Sequence, residues 1–442
     1  MALYREELIA MSKLTELDRM ISKISTQVAR VLNLALNGKD ITVPQALVLF
    51  NSTGLDLNAT VIVADQLRRQ TVGDLVTYVV NRNINFTNVC IKRCGFCAFS
   101  RDYREDEGYM LPLEEIIRRS KEAWDLGATE VCIQAGLPPQ MDGHFYVELC
   151  AAIKKAIPEM HIHGFSPEEV LYGSIRSKCS IKTYLQLLKD AGVGSLPGTS
   201  AEILDQRLRD KISPGRITVD KWLEVIRTAH ELNIPTTSTI MYGHVETFEH
   251  QARHINLIRD LQKETGGITE FVPLSFVNQE APMFFRQSVK GLRPGATGME
   301  VLKIHAISRI MLNNWIPNIQ VSWVKEGPRL SEILLQAGVN DLGGSLINES
   351  ISTAAGANHG QLIRPSEFRR IIRGVGRKPA ERYTSYKIRR IFEANDDPID
   401  PLDQLTESPE KYFGTYKELI KLETYRYKHP KVSQANSSPI ND

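Results

Sequence analysis

At 442 residues, 42% hydrophobic and 24% charged, the chain is long enough for one large barrel or about two to three ordinary domains around a sizeable core. Its 54 basic residues nearly balance 52 acidic ones, a formal net charge of +2, so no global field draws it to nucleic acid or to anionic lipid. No apolar run approaches the ~20 residues a membrane span needs, so a soluble protein with small-molecule ligands is expected.

Residues 1–78 place apolar side chains at helical spacing (Leu14, Leu17, Met20, Ile21, Ile24, then Val28, Val31, Leu32), which predicts a helical N-terminal extension packed against the rest of the chain. Asn51-Ser52-Thr53-Gly54 and Thr71-Val72-Gly73-Asp74 are expected as turns or caps between its helices.

From Tyr78 the pattern becomes short apolar strands, each followed by a longer helical stretch. Strands are predicted at 79–86, 130–135, 161–165, 194–199, 236–242, 269–276, 318–323 and 341–346, with helices including 113–126, 219–232, 248–264 and 298–313. Eight βα units over residues 79–375 suit a closed parallel barrel, usually ~250 residues or more. A doubly wound open sheet is the alternative.

A barrel concentrates function at the C-terminal ends of its strands. There the chain carries the cysteine loop, then Gln134-Ala135-Gly136, Thr199-Ser200-Ala201-Glu202, Tyr242-Gly243-His244, Ser275 to Glu280, Gln320 with Ser322, and finally Asn340 with Asn348. Residues 376–430 are read as a helical C-terminal region. The Arg- and Tyr-rich run 382–390 within it, balanced by Glu393, Asp396, Asp397, Asp400 and Asp403, is expected to be a solvated helical face rather than a nucleic-acid surface. Residues 431–442 are expected to be a disordered tail.

Six cysteines form no dense framework and no apolar signal segment precedes them, which points to a reducing cytoplasm. Three are different in kind: Cys90, Cys94 and Cys97 follow the first strand at x3 and x2 spacing. Thiolates so spaced can hold three irons of a four-iron cluster and leave the fourth open. A zinc knuckle is the competing reading, but no second Cys or His pair follows. Cys132, Cys150 and Cys179 are assigned no chemistry.

Cys-x3-Cys-x-aromatic-Cys after the first strand of a βα barrel resembles the radical S-adenosylmethionine (SAM) superfamily. That resemblance implies the fold class, an α/β (β/α)8 TIM-like barrel, and the cofactors, a [4Fe-4S] cluster held by Cys90, Cys94 and Cys97 with SAM on the fourth iron. It implies that Phe96 packs by the adenine, that Gln134 and Gly136 bring the second-strand loop to the methionine moiety, and that Glu202 accepts from the ribose hydroxyls. Ala135 stands where relatives often carry a second glycine. Glu202 also suits a helix N-terminus beginning near Ser200.

The runs Pro273 to Met283, Asn318 to Lys325 and Asn340 to Ser352 further resemble the tyrosine-transferring component of the deazaflavin FO synthases, over most of residues 75–385. Menaquinone-pathway enzymes of the aminofutalosine and dehypoxanthine futalosine type share the barrel and Met241-Tyr242-Gly243-His244, and are the alternative. The resemblance implies L-tyrosine and 5-amino-6-(D-ribitylamino)uracil as substrates, iminoacetate as the released fragment, a ring-closing radical SAM subunit on another chain, and an electron donor such as ferredoxin or flavodoxin. Tyr242 and His244 are expected to move protons or hold the phenol. Ser275, Asn278, Gln279, Gln320, Ser322, Asn340 and Asn348 are expected to pair with the substrates.

Overall fold

The computed structural model describes residues 19–429. Leu14, Leu17 and the tail 431–442 lie outside the described residues.

Helix α1 (Thr26–Leu36) buries Val28, Val31, Leu32 and Ala35, one stripe at i, i+3, i+4 and i+7. A reciprocal Thr42–Gln45 capping box starts α2 (Val43–Phe50), and α3 (Gly54–Val72) stops at Gly73, whose φ of 66° ends the helical backbone. Phe50 stacks on Phe248, and Lys303 Nζ donates to the Phe50 carbonyl at 2.8 Å, so these helices are held by residues that lie much later in the chain.

The first predicted strand is split into β1 (Leu75–Val79) and β2 (Asn81–Ile84). After it come the cysteine loop and α4 (Leu113–Asp125), then β3 (Glu130–Ile133), α5 (His144–Ala156), β4 (His161–His163), α6 (Pro167–Arg176), α7 (Ile181–Asp190), β5 (Val193–Ser195), α8 (Gln206–Ile212) and α9 (Val219–Glu231). The second half runs β6 (Thr236–Tyr242), α10 (Phe248–Thr265), β7 (Ile268–Ser275), α11 (Gly298–Leu312), α12 (Trp323–Leu334), β8 (Asp341–Gly344) and α13 (Pro365–Gly374). All pairings among β1 to β8 are parallel. β2-β3-β4-β5 form one sheet, β6-β7 another, and β1 pairs with β8 in a third. Single parallel bridges, Leu196 to Thr236, Phe271 to Ile319 and Gln320 to Asp341, link these sheets in barrel order.

The strand expected at 318–323 exists only as those last two bridges. Gln320 N donates to the Phe271 carbonyl and Val321 N to the Asp341 carbonyl, both at 3.0 Å, and side-chain amides supplement this short ladder: Asn340 Oδ1 accepts from Ile319 N at 2.9 Å, and Asn318 Nδ2 donates to the Thr269 carbonyl at 3.0 Å. Trp323 already begins α12.

The C-terminal region departs further from its helical expectation. It opens with β9 (Lys378–Arg382), parallel to β1, and β10 (Ile388–Ile391), antiparallel to β9; short helical turns follow. The run 382–390 is therefore a hairpin rather than a solvated helical face. Its period is two: Arg382 and Thr384 are buried while Tyr383 and Ser385 face solvent. Arg382 holds Asp341 through Nε at 2.6 Å and Nη2 at 2.9 Å, Thr384 Oγ1 donates to Glu130 at 2.5 Å, and the Tyr386 hydroxyl donates to Glu270. Asp341 and Glu130 begin β8 and β3, and Glu270 lies near the start of β7, so the hairpin turn closes the N-terminal end of the strand ring.

Candidate active site

The strand that leads to the cysteines is tied on both sides before the loop begins. Cys90 N donates to the Arg101 carbonyl at 3.0 Å and Ile91 N to Leu137 at 2.8 Å. Gly95 N donates to the carbonyl of Ile212, the last residue of α8, at 2.8 Å, and its own carbonyl receives Met283 N at 2.7 Å. The loop is thus fixed by backbone bonds to three distant segments. All three cysteines are free thiols on the wall of one cavity of about 410 Å³, Cys94 buried and Cys90 and Cys97 half-buried.

Arg216, between α8 and α9, joins this loop to the next. Its Nη1 donates to Cys94 Sγ at 2.9 Å, its Nη2 to Ser200 Oγ at 2.8 Å and lies 3.2 Å from Glu202 Oε1, and the guanidinium sits 5.7 Å from the Phe96 ring centroid. Burial pushes the Cys94 thiol up to about 12, and the neighbouring Arg216 charge opposes that rise. Three thiols converging on a cavity beside a fixed cation are a donor set suited to an anionic iron–sulfur cluster. Among the described residues no three His, Cys, Asp or Glu side chains close on a single-ion site.

Glu202 is buried, with Arg209 Nη1 on its other oxygen at 3.2 Å. Ser200 and Glu202 have φ of 62° and 38°, a tight turn ahead of α8, which starts at Gln206. Glu202 is therefore not a first-turn helix residue, and its carboxylate faces the cavity.

The second-strand loop is pinned from two sides. Gln134 Oε1 accepts from Thr199 Oγ1 at 2.8 Å, and Glu169 accepts from Ala135 N at 2.9 Å and from Ser166 N and Oγ at 2.8 and 2.6 Å. Burial still pushes the Glu169 carboxyl up to about 7, against these hydrogen bonds. Its neighbour Glu168 accepts from Ile217 N at 2.6 Å and meets Lys92 Nζ at 3.3 Å. Gly136 N bonds the Thr87 carbonyl at 2.8 Å, and a Cβ on Gly136 would lie 2.3 Å from Val89 O. Gly136→Ala is therefore expected to push the cysteine-bearing strand aside, costing about 1–3 kcal/mol. Lower thermal stability together with reduced iron loading on reconstitution would register it.

Ten expected site residues line this cavity: Cys90, Cys94, Cys97, Phe96, Gln134, Gly136, Glu202, Ser275, Gln320 and Ser322. Six do not. Thr237, Thr239 and Met241 of β6 face the lumen, so the alternation of a strand turns Tyr242 outward, where its hydroxyl donates to Glu326 at 3.1 Å. His244 is wholly buried, its Nε2 3.0 Å from the Met241 carbonyl and its Nδ1 3.3 Å from Glu246, and burial lowers its pKa. Neither lines the cavity. Asn340 is consumed by Arg309, Asn318 and Ile319 before β8 begins. Asn278, Gln279 and Asn348 lie on loops off the cavity wall.

Arg216, Glu168 and Glu169 were missed from sequence because their partners are remote in the chain: Arg216 and Cys94 are separated by 122 positions. The Ser166-Pro167-Glu168-Glu169 capping box was the available local signal.

Residues 84–258 match the family described as the radical SAM superfamily, and residues 265–395 match the CofH/MqnC C-terminal region. The 5-amino-6-(D-ribitylamino)uracil--L-tyrosine 4-hydroxyphenyl transferase of Methanothermobacter thermautotrophicus is 46% identical over 364 residues, 82% of this chain and 98% of that protein. The protein of the same name from Methanocaldococcus jannaschii is 46% identical over 79% of this chain and 97% of its own length. Among solved structures, the [FeFe]-hydrogenase maturase HydG (TM-score 0.64, 16% identity, 84% of this chain and 79% of that one) and methylornithine synthase PylB (TM-score 0.62, 20% identity, 79% and 97%) share the fold. The chain belongs to the radical SAM superfamily and, within it, to the family of 5-amino-6-(D-ribitylamino)uracil--L-tyrosine 4-hydroxyphenyl transferases.

Proposed function

We propose that this enzyme joins the 4-hydroxybenzyl group of L-tyrosine to C5 of 5-amino-6-(D-ribitylamino)uracil, with release of 2-iminoacetate, 5′-deoxyadenosine and methionine. The observation that carries this reading is one cavity that presents Cys90, Cys94, Cys97, Glu202 and Arg216 together, in a chain nearly half identical to transferases of that name.

In this reading the three thiolates hold a [4Fe-4S] cluster and leave one iron for the amino and carboxylate groups of SAM. Bound together, cluster and SAM would supply the radical chemistry that starts on tyrosine. The chain's own residues do the positioning. Arg216 neutralises charge beside Cys94 and offers its guanidinium to the SAM carboxylate. Glu202 keeps acceptor capacity for the ribose hydroxyls, since an ionised carboxylate has about four lone-pair sites and two arginines engage two of them. Gly136 lets the backbone come close to the methionine amino group. Phe96 lies by the adenine, and Ser275, Gln320 and Ser322 face the substrates.

In this reading a ring-closing radical SAM subunit completes the deazaflavin, with ferredoxin or flavodoxin as electron source. In this reading the enzyme works in the cytoplasm, a setting that suits six cysteines without a dense, regularly spaced framework.

Incubating reduced, reconstituted protein with SAM, tyrosine and the diaminouracil tests the reading by mass spectrometry. Coupled product with stoichiometric deoxyadenosine is expected. Deoxyadenosine formed without coupling would overturn tyrosine transfer and favour a futalosine-type substrate.

A further inference from the structure

The inside of a parallel barrel is normally filled by branched apolar side chains. Here Asn83, Cys132, His163, Thr239, Glu270 and Gln320, from different strand positions, instead face the cavity. Several of their polar atoms have no partner among the described residues. His163 uses Nδ1 on Ser195 Oγ at 2.7 Å, which leaves Nε2 open, and Asn83 Oδ1 is buried without a hydrogen bond. Glu270 receives Tyr386 on one oxygen and leaves the other unbonded, and the Gln320 amide meets no protein donor or acceptor. Polar atoms that face a cavity without a protein partner are left to bond whatever enters it, so this layer suits a ligand rich in donors and acceptors.

The opposite half of the cavity, beside the cysteine loop, differs in character. Met241, Leu274, Phe276, Leu346 and Ile351 make an apolar wall there, and Lys325 lines it with its ammonium free of hydrogen bonds and of carboxylates within ion-pair distance. That combination fits an aromatic ring carried by an amino acid whose carboxylate needs a cation.

Resting on the tyrosine-transfer reading, we propose that the two substrates are sorted by depth: the ribityl-pyrimidine occupies the polar layer inside the strands, contacting His163, Glu270 and Gln320, and tyrosine lies above it next to the cysteine loop. A polyol chain and a uracil edge can answer all of these open groups, whereas one phenol hydroxyl can answer only one or two. Burial also raises the Glu270 carboxyl against the pull of Arg382, as befits a group waiting for hydrogen bonds. Order of binding follows from the hairpin floor. Arg382 to Asp341, Thr384 to Glu130 and Tyr386 to Glu270 close the far end, so the pyrimidine enters past the cysteine loop and binds before tyrosine and SAM cover it.

Glu270→Gln and Gln320→Ala, made separately in the reconstituted holoenzyme, test this. At saturating SAM, each is expected to raise the KM for the diaminouracil at least tenfold and to change that for tyrosine less than twofold. Equilibrium dialysis of the diaminouracil against SAM-free holoenzyme should show binding to the wild type and at least tenfold weaker binding to both variants, with SAM affinity unchanged as the check on folding. Variants that shift the tyrosine KM instead, or wild-type protein that binds the pyrimidine only after SAM, would overturn the assignment. If wild type forms no coupled product yet binds the pyrimidine in a manner the variants lose, the function reading fails and the site stands. If it couples the substrates and both variants behave like wild type, the site fails alone.

Discussion

Cys94→Ala is expected to abolish SAM cleavage and coupling, a loss of at least about 10³-fold, while the polypeptide stays folded. The thiol is buried at the centre of the loop, with Arg216 Nη1 at 2.9 Å from its sulfur. In the proposed cluster site its removal takes away one of three protein ligands, with no fourth to spare. Because the loop is anchored by backbone bonds from Cys90, Ile91, Gly95 and Met283, loss of one small side chain leaves those anchors in place. Iron content after anaerobic reconstitution should fall well below about four per chain, with deoxyadenosine undetectable by chromatography. Cys90→Ala and Cys97→Ala should behave alike. Cys150→Ala and Cys179→Ala, which remove thiols that do not line the cavity, should keep both iron and activity. Equal iron loss from those controls would mean that the cysteine loop is not the cluster site.

The convergence of Cys90, Cys94 and Cys97 on one cavity wall was legible in the sequence because the three lie within eight consecutive residues after a strand. The barrel was legible for the same reason: each βα unit is local, and strand β6 falls on its expected residues. What sequence could not supply was the direction of side chains at strand ends. Tyr242 and His244 follow β6 at the level of a barrel active site, yet Met241 takes the inward position and alternation sends Tyr242 into the helical layer. Asn340 was misplaced because it precedes β8 rather than following it. The hairpin floor was hidden by composition. Arg382 and Tyr386 look solvent-seeking until Asp341 and Glu270, many residues earlier in the chain, are brought beneath them by the ring of strands.

Arg216 is the residue whose loss should separate cluster assembly from use of SAM. It bridges the Cys94 sulfur, Ser200 and Glu202 with one planar guanidinium, a geometry that an ammonium on a flexible stem cannot reproduce. Arg216→Ala leaves Glu202 with only Arg209 and exposes the Glu202 and Glu168 carboxylates to each other across a buried site. Removing one partner from a buried charge network costs about 3–5 kcal/mol, reduced here to about 2–3 because the arginine is partly exposed to the cavity. Loss of the charge-assisted contact to the SAM carboxylate, about 1.5–3 kcal/mol, weakens SAM binding on the order of 10- to 10²-fold. Arg216→Lys should keep the charge, lose the fork, and fall between. The cluster's ligands are untouched, so iron content should stay near the wild-type value in both variants, and the KM for SAM should rise more than kcat falls. If iron is lost in parallel with activity, Arg216 acts on the thiolates and not on SAM; if SAM affinity is unchanged, the guanidinium only holds the Glu202 turn in place.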